Sequence, residues 1–457
     1  MAIGHTKSIE TIAKLLSQWC RNIICFGFAF LLACSYSSVT AAQTDNVPAL
    51  TDQQVTQVND DLAMNNPGSI AEQLRRDWES KDYLFQIPGA EKVLGPWYYL
   101  RSTLDEKYGF KPQFSFTNVT QWASDTLPLP FAMEDHASGY ELIVDGTWTF
   151  RGRGTDSPSM IGFEVLTRDK MKTEIPPVVL FTQVGSLYPT TVAFGELDTT
   201  IGQLWLQKKF NDRFGFQVGK LFPVSAYDFF PLKNFRTDFL DPIHAANIAI
   251  PLPERGLGGF VMFRPRPEVY FRIGAHDANA DAEKAGFDSL FDEGELFTIF
   301  EAGFDPGIME RQPGRPPFGD VHVSLWHQDE REEAGIDDGW GIVLSASQRF
   351  ARLLPFLRYG YSEGGSMGPA ILKHMVNGGV AIDNIFGQSN DRIGIGFSWS
   401  DPASGMLDAQ KTIDMFYRVQ VTPEIAVSPT LQVIFDPVRN PFEDTVYVGG
   451  VRTRFTF

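Results

Sequence analysis

The stretch QLWLQKKFNDRFGFQVGK, residues 203–220, alternates apolar and polar side chains on both sides of a tight turn. Successive side chains of an extended strand point to opposite faces. Leu204 and Leu206 therefore share one face, and Gln203, Trp205 and Gln207 the other. Asn211 to Arg213 turn the chain, after which Phe214, Phe216 and Val218 resume the apolar face. GLGGFVMFRPRPEVYFRIGAH repeats the scheme: Val261 and Phe263 lead in, Val269, Phe271 and Ile273 lead out, and Pro265 and Pro267 suit the turn between them. WGIVLSASQRFARLLPFLRYGY, DMFYRVQVTPEIAVSPTLQVIF and the closing GGVRTRFTF follow. From residue 111 onward the chain reads as amphipathic strands of about ten residues separated alternately by short and long connections.

Beyond residue 42 no apolar run reaches the ~18 residues of a membrane-spanning helix. A chain of this kind that crosses a membrane does so as a closed antiparallel barrel, because lipid leaves no solvent for unpaired backbone groups. The start of the chain supports export. Lys7, Lys14 and Arg21 precede IICFGFAFLLAC and small residues up to SVTAAQ, a signal-peptide pattern with cleavage after Ala41 or Ala42. Cys20, Cys25 and Cys34 all fall within it, so the mature chain is expected to carry no thiol. LLAC offers an alternative, with Cys34 as an acylated residue. The expected organisation is a signal peptide over 1–42, a polar and helical segment over 43–110, periplasmic or plugging, and a barrel over 111–457. Within the middle segment, SIAEQLRRDWESKD and VLGPWYYLRSTLDEKYG carry the spacing of two short helices.

Sidedness provides a test, since outer-membrane barrels keep short turns in the periplasm and long loops outside. Taking the strand ending at Phe457 as descending, 436–444, 401–411, 362–373, 328–338, 276–294 and 221–256 are external. The segments 422–424, 383–390, 350–352, 304–318 and 264–267 are then periplasmic, with 304–318 too long and 383–390 only moderately short. PVVLFTQ and TTVAFGE, read as a hairpin, give eighteen strands; one external loop over 168–202 gives sixteen.

DGTWTFRGRG, the run from IPPVVLFTQ to FGFQVGKL, GGVAIDNIFGQSNDRIGIGFSWS and the ending FYRVQVTPEIAVSPTLQVIFDPVRNPFEDTVYVGGVRTRFTF together resemble the carbohydrate-selective porin family of OprB type. The ending is the most specific part: a Tyr-Arg-x-Gln strand, a Thr-Pro-Glu turn, a Pro-x-Leu-Gln strand, an Asp-Pro link and a terminal Phe stand in that family's order. The resemblance implies an all-β, sixteen-stranded transmembrane antiparallel β-barrel. It also implies passive diffusion of monosaccharides such as glucose, or small oligosaccharides, with homotrimers as a family expectation. The terminal Phe457 fits the signal read by the barrel assembly machinery.

A barrel of this size encloses water and needs a narrowing element. The long connection FPVSAYDFFPLKNFRTDFLDPIHAANIAIPLPERG is the candidate, because sugars stack on aromatic faces and hydrogen-bond charged groups. Its candidate constriction residues are Tyr227, Asp228, Phe229, Phe230, Asn234, Phe235, Arg236 and Asp238. Alternation places Trp205, Gln207, Arg418, Gln420, Arg452 and Arg454 toward the lumen, since a charge on the lipid face costs ~2–4 kcal/mol at mid-membrane.

Other patterns point to bland roles. GYSEG matches a hydrolase elbow, but Ser362 is followed by loop sequence, so no enzyme activity is expected. Asp277, Asn279 and Asp281 share calcium-loop spacing, yet Ala282 stands where that loop needs Gly. No cofactor is expected, and acidic loops such as QDEREEAGIDD suit divalent cations at the lipopolysaccharide surface. A net charge of −17 with no basic stripe excludes nucleic-acid binding, whereas it favours a cation-preferring general porin if the acids line the lumen.

Overall fold

The computed structural model describes residues 69–132, 134–305 and 319–457. The expected signal peptide, Cys34 and most of 304–318 lie outside them. Two helices, α1 (Ile70–Trp78) and α2 (Ala90–Tyr108), precede sixteen strands. These are β1 (Phe110–Ala123), β2 (His136–Arg151), β3 (Ser159–Lys170), β4 (Leu197–Asn211), β5 (Phe214–Leu221), β6 (Gly256–Arg266), β7 (Val269–Asp277) and β8 (Leu296–Phe304). There follow β9 (Gly319–Gln328), β10 (Gly339–Gln348), β11 (Leu353–Glu363), β12 (Leu372–Ile385), β13 (Gln388–Pro402), β14 (Gln410–Gln420), β15 (Ile425–Phe435) and β16 (Thr445–Thr456). Each strand pairs with its sequence neighbours, and β1 pairs with β16, so the sheet closes. Closure leaves no open edge for lipid to desolvate.

Alternation builds the wall. Leu204 and Leu206 are 51% and 38% exposed on the outer face, while Gln203, Trp205 and Gln207 between them are buried inward. Val261, Phe263, Phe271 and Ile273 continue the apolar band outside, and Arg452 and Arg454 of β16 point in. Trp205 fits because Gly162 lies across from it on β3; a Cβ there would collide with the indole ring.

The count of sixteen settles the alternative of eighteen. Between β3 and β4, PVVLFTQ forms a 3-10 turn, Pro177–Val179, and a short helix α3 (Leu180–Val184), and the segment that follows has no strand. Pro177 and Leu180 are buried, so the apolar run serves a loop packed on the barrel. The expected loop at 383–390 is tighter than its length suggests. β12 and β13 run on to Ile385 and Gln388, and Phe386 and Gly387 turn with φ of 51° and 85°. Positive φ at both positions matches the twist of a two-residue hairpin. Pro265, expected in a turn, sits in β6 at a register shift between the Phe263–Phe271 and Arg266–Val269 pairs, where no ladder donor is required.

Both N-terminal helices form. Ser69 caps α1 by accepting from the Glu72 amide at 3.3 Å, and Gly109 ends α2 with φ 68°. α2 spans 19 residues with none buried, so it is longer than expected and lies on the surface. Ile70 and Leu74 of α1 join a buried cluster with Met160 and Trp205, and Asp77 binds the inward Arg454 at 2.7 Å and Gln113 at 2.9 Å. Hence α1 lies against the inner wall.

Candidate functional site

Between β5 and β6, residues 222–255 fold into the barrel and meet its inner wall on several sides. At one end Asp228 binds Arg358 of β11, with His322 of β9 at 3.2 Å and Lys233 at 3.5 Å, while its amide donates to Glu301 of β8. Near the middle, Arg236 binds Glu141 of β2 at 2.5 Å, and Arg168 of β3 shares that carboxylate at 2.7 Å. Further on, Asp238 accepts from Arg392 of β13 at 2.8 Å, with Arg418 of β14 at 3.7 Å. Arg452 of β16 donates to the carbonyls of Phe235 and Asp238 at 2.7 and 2.8 Å. A short helix, α4 (Pro242–Ala245), is capped by Asp241, whose amide donates to Asp414 of β14 at 3.0 Å. The loop is a strap across the lumen, not an external lid.

Its aromatic residues form the seat of the strap. Tyr227 donates or accepts at 2.7 Å with His276 Nε2; Phe230 packs on Phe356 at 4.8 Å, Phe239 on Phe416 at 5.0 Å and Phe235 on Phe194 at 6.2 Å. All four loop rings are buried. Phe229 alone of the expected aromatic candidates keeps partial exposure, and Asn234 is buried with its side chain holding the Arg236 amide at 3.0 Å. Gly274 makes room for the strap: a Cβ on it would overlap the Tyr227 hydroxyl.

At the opposite end two guanidinium groups keep partial exposure. Asp238, Arg392, Arg418 and Arg452 converge there with Arg76 of α1, whose side chain is 19% exposed, beside Arg418 at 15%. Arg76 Nη2 and Arg452 Nε and Nη2 are without protein partners. The expected Arg418, Arg452 and Asp238 thus meet, whereas Trp205, Gln207 and Arg454 line other parts of the wall and Gln420 turns its amide to Thr422 in the β14–β15 turn. Strand alternation carries no sign of Arg76, which reaches the site from a helix. Arg392 did carry a signal, standing at an inward position of the alternating DRIGIGFSW.

Electrostatics follow burial and pairing. Burial opposes ionisation of Asp228, yet Arg358 and Lys233 outweigh it and hold the carboxyl below the usual range. The same contest, won by Arg392 and Arg418, keeps Asp238 ionised. Burial lowers Lys233 to about 8, against the pull of Asp228. Burial, then Arg358, lowers His244 to about 3, so it is neutral.

Elsewhere, Ser362 lies in β11 and donates to the Leu372 carbonyl, without the strand-to-helix elbow a nucleophile needs. In the loop after β7, Asp277 accepts from the Asn279 amide and Ser289, and Asn279 bridges Glu293 and Arg331. Among the described residues, no three or more His, Cys, Asp or Glu side chains group as metal ligands. No described helix is long and apolar enough to cross a membrane.

Residues 179–457 match the sequence profile described as carbohydrate-selective porin, OprB family. The chain belongs to the carbohydrate-selective porin family. The high-pH structure of Pseudomonas putida OprB is similar in fold, with a TM-score of 0.60 at 13% identity over 79% of this chain and 97% of that one. The low-pH structure of P. putida OprB gives 0.45 at 13% over 82% and 99%, and a mutant Rh. blastica porin 0.42 at 13% over 76% and 100%. No curated protein sequence matches the chain. As a member of the family, the protein is a sugar-selective porin of the outer membrane, a channel by family and by fold.

Proposed function

We propose that sugars cross this porin past the partly exposed guanidinium groups of Arg76 and Arg418 beside the strap, backed by the buried Arg452, their hydroxyls bonding to those groups in turn. The convergence of these arginines around Asp238 carries the reading. Hydrogen bonds from charged donors are strong enough to select a solute, and partial exposure keeps them weak enough for it to leave. Charge balance supports uncharged substrates over cations: among the described residues, buried side chains number fourteen Arg or Lys and thirteen Asp or Glu. The acidity of the chain therefore belongs to its exposed surface. Glucose and small oligosaccharides are the proposed solutes; export by the signal peptide, the lipid-facing apolar band, lipopolysaccharide contact and homotrimeric association complete the proposal.

Planar-bilayer conductance titrated with glucose tests it. Saturable block is expected, and Arg418→Gln should raise the half-blocking concentration about tenfold, the effect of losing one charge-assisted bond. Current indifferent to sugar in the unaltered protein would sink this reading.

A further inference from the structure

Asp228 was a candidate sugar contact on sequence grounds, but its surroundings leave it no free face. Its side chain is fully buried, and Arg358, His322, Lys233 and Asn247 surround the carboxylate, Asn247 donating at 3.0 Å. Its amide is held by Glu301 at 2.5 Å. β8, β9 and β11 are thereby tied through one residue to two other points of the strap, Lys233 and Asn247. Lys233 also donates to the carbonyls of Tyr227 and Asp228 at 2.7 and 3.0 Å, and Arg358 to that of His244 at 2.8 Å, so the ties reach α4. The backbone at Asp228 is left-handed, φ 51°, a conformation Asp and Asn tolerate better than most residues. A buried ion with four donors and an uncommon backbone is not a surface that a passing solute can use.

We propose that Asp228 is the positioning residue of the constriction: it pins the strap to the β8–β11 wall, sets the gap that solutes pass, and touches no sugar itself. This rests on the porin reading and adds a division of labour within the strap. One end, at Asp228, fixes its place; the other, near Asp238, presents the guanidinium groups.

Asp228→Asn removes the charge while keeping shape and left-handed backbone. Its single-channel conductance without sugar should rise and become noisier, and the half-blocking glucose concentration should rise about tenfold, or ~1.4 kcal/mol of lost positioning. A cysteine placed at Thr237, half-buried in the strap, should react slowly with a bulky maleimide in the parent channel and severalfold faster beside Asp228→Asn. His322→Gln, a milder loss, should move both readouts the same way by less and covers the case in which Asp228→Asn fails to assemble. If Asp228→Asn lost sugar block with conductance and labelling unchanged, Asp228 would be a ligand and the inference overturned. A parent protein that conducts nothing would overturn the porin reading beneath it.

Discussion

Lys233 shows how one residue links burial to permeation. Its ammonium lies in the strap between Asp228 and two carbonyls, and burial brings its titration from 10.5 down to about 8. Between those values the unfolded chain binds the proton and the folded one does not, so through this group stability rises with pH over that window. Raising pH from 7 to 9 removes one positive charge from the lumen. The reversal potential in a salt gradient should then move toward cations, and Lys233→Met should remove that shift; a variant that keeps the full shift would assign it elsewhere. Asp228 has the same sign in a different window: its carboxyl, held below the usual range, contributes stability that is present above the ordinary carboxylate range and lost as pH falls into strong acid. Both fates were hidden in the sequence. Alternation told which wall residues face inward, but the partners of Asp228 come from residues 301, 322 and 358, and spacing along one chain does not encode such meetings. His244, His276 and His322 each sit in the seat of the strap, and nothing in their spacing announced it.

At the scale of elements, the sequence was legible wherever a strand met water on one side and lipid on the other. Period-two alternation, turn residues and the sidedness of connections yielded the wall almost residue by residue. Legibility failed in two kinds of place. PVVLFTQ is apolar because it packs against the barrel rather than into lipid, and composition does not distinguish the two. The aromatics of the strap were read as sugar platforms, yet Tyr227, Phe230, Phe235 and Phe239 pack the strap onto the wall. Gly274 tests that seat. Gly274→Ala places a methyl where the Tyr227 hydroxyl lies, and overpacking of this kind costs ~1–3 kcal/mol. The variant should unfold earlier in a heat-modifiability assay and conduct more than the parent; unchanged values would mean the strap tolerates displacement. The seam tests closure. Phe457 exchanges backbone hydrogen bonds with Phe114 at 2.9 and 3.2 Å, and the rings stand 6.2 Å apart. Deleting Phe457 should lower the amount of folded barrel in the outer membrane while export persists. Normal levels would show that the seam closes without it.

For the whole molecule, the distribution of charge matters more than its sum. The net −17 would predict a cation channel if it lay in the lumen, but buried basic and acidic groups nearly cancel among the described residues. The excess is exposed on the loops: Glu283, Asp288, Asp292 and Glu293 after β7, and Glu330, Glu332, Glu333, Asp337 and Asp338 after β9. Both loops stand on the long-loop rim, the external face of a porin. A charged mouth above a balanced lumen acts by steering, and steering is screened over ~10 Å at 0.1 M salt and ~3 Å at 1 M. Cation preference should therefore be measurable in dilute salt and fade in 1 M KCl, whereas glucose block, made by short contacts inside, should keep its half-blocking concentration. Neutralising Glu330, Glu332 and Glu333 together should weaken the low-salt preference and leave glucose block alone. A cation preference that survives 1 M salt would place unbalanced acids along the pore and favour a general cation porin on this same barrel.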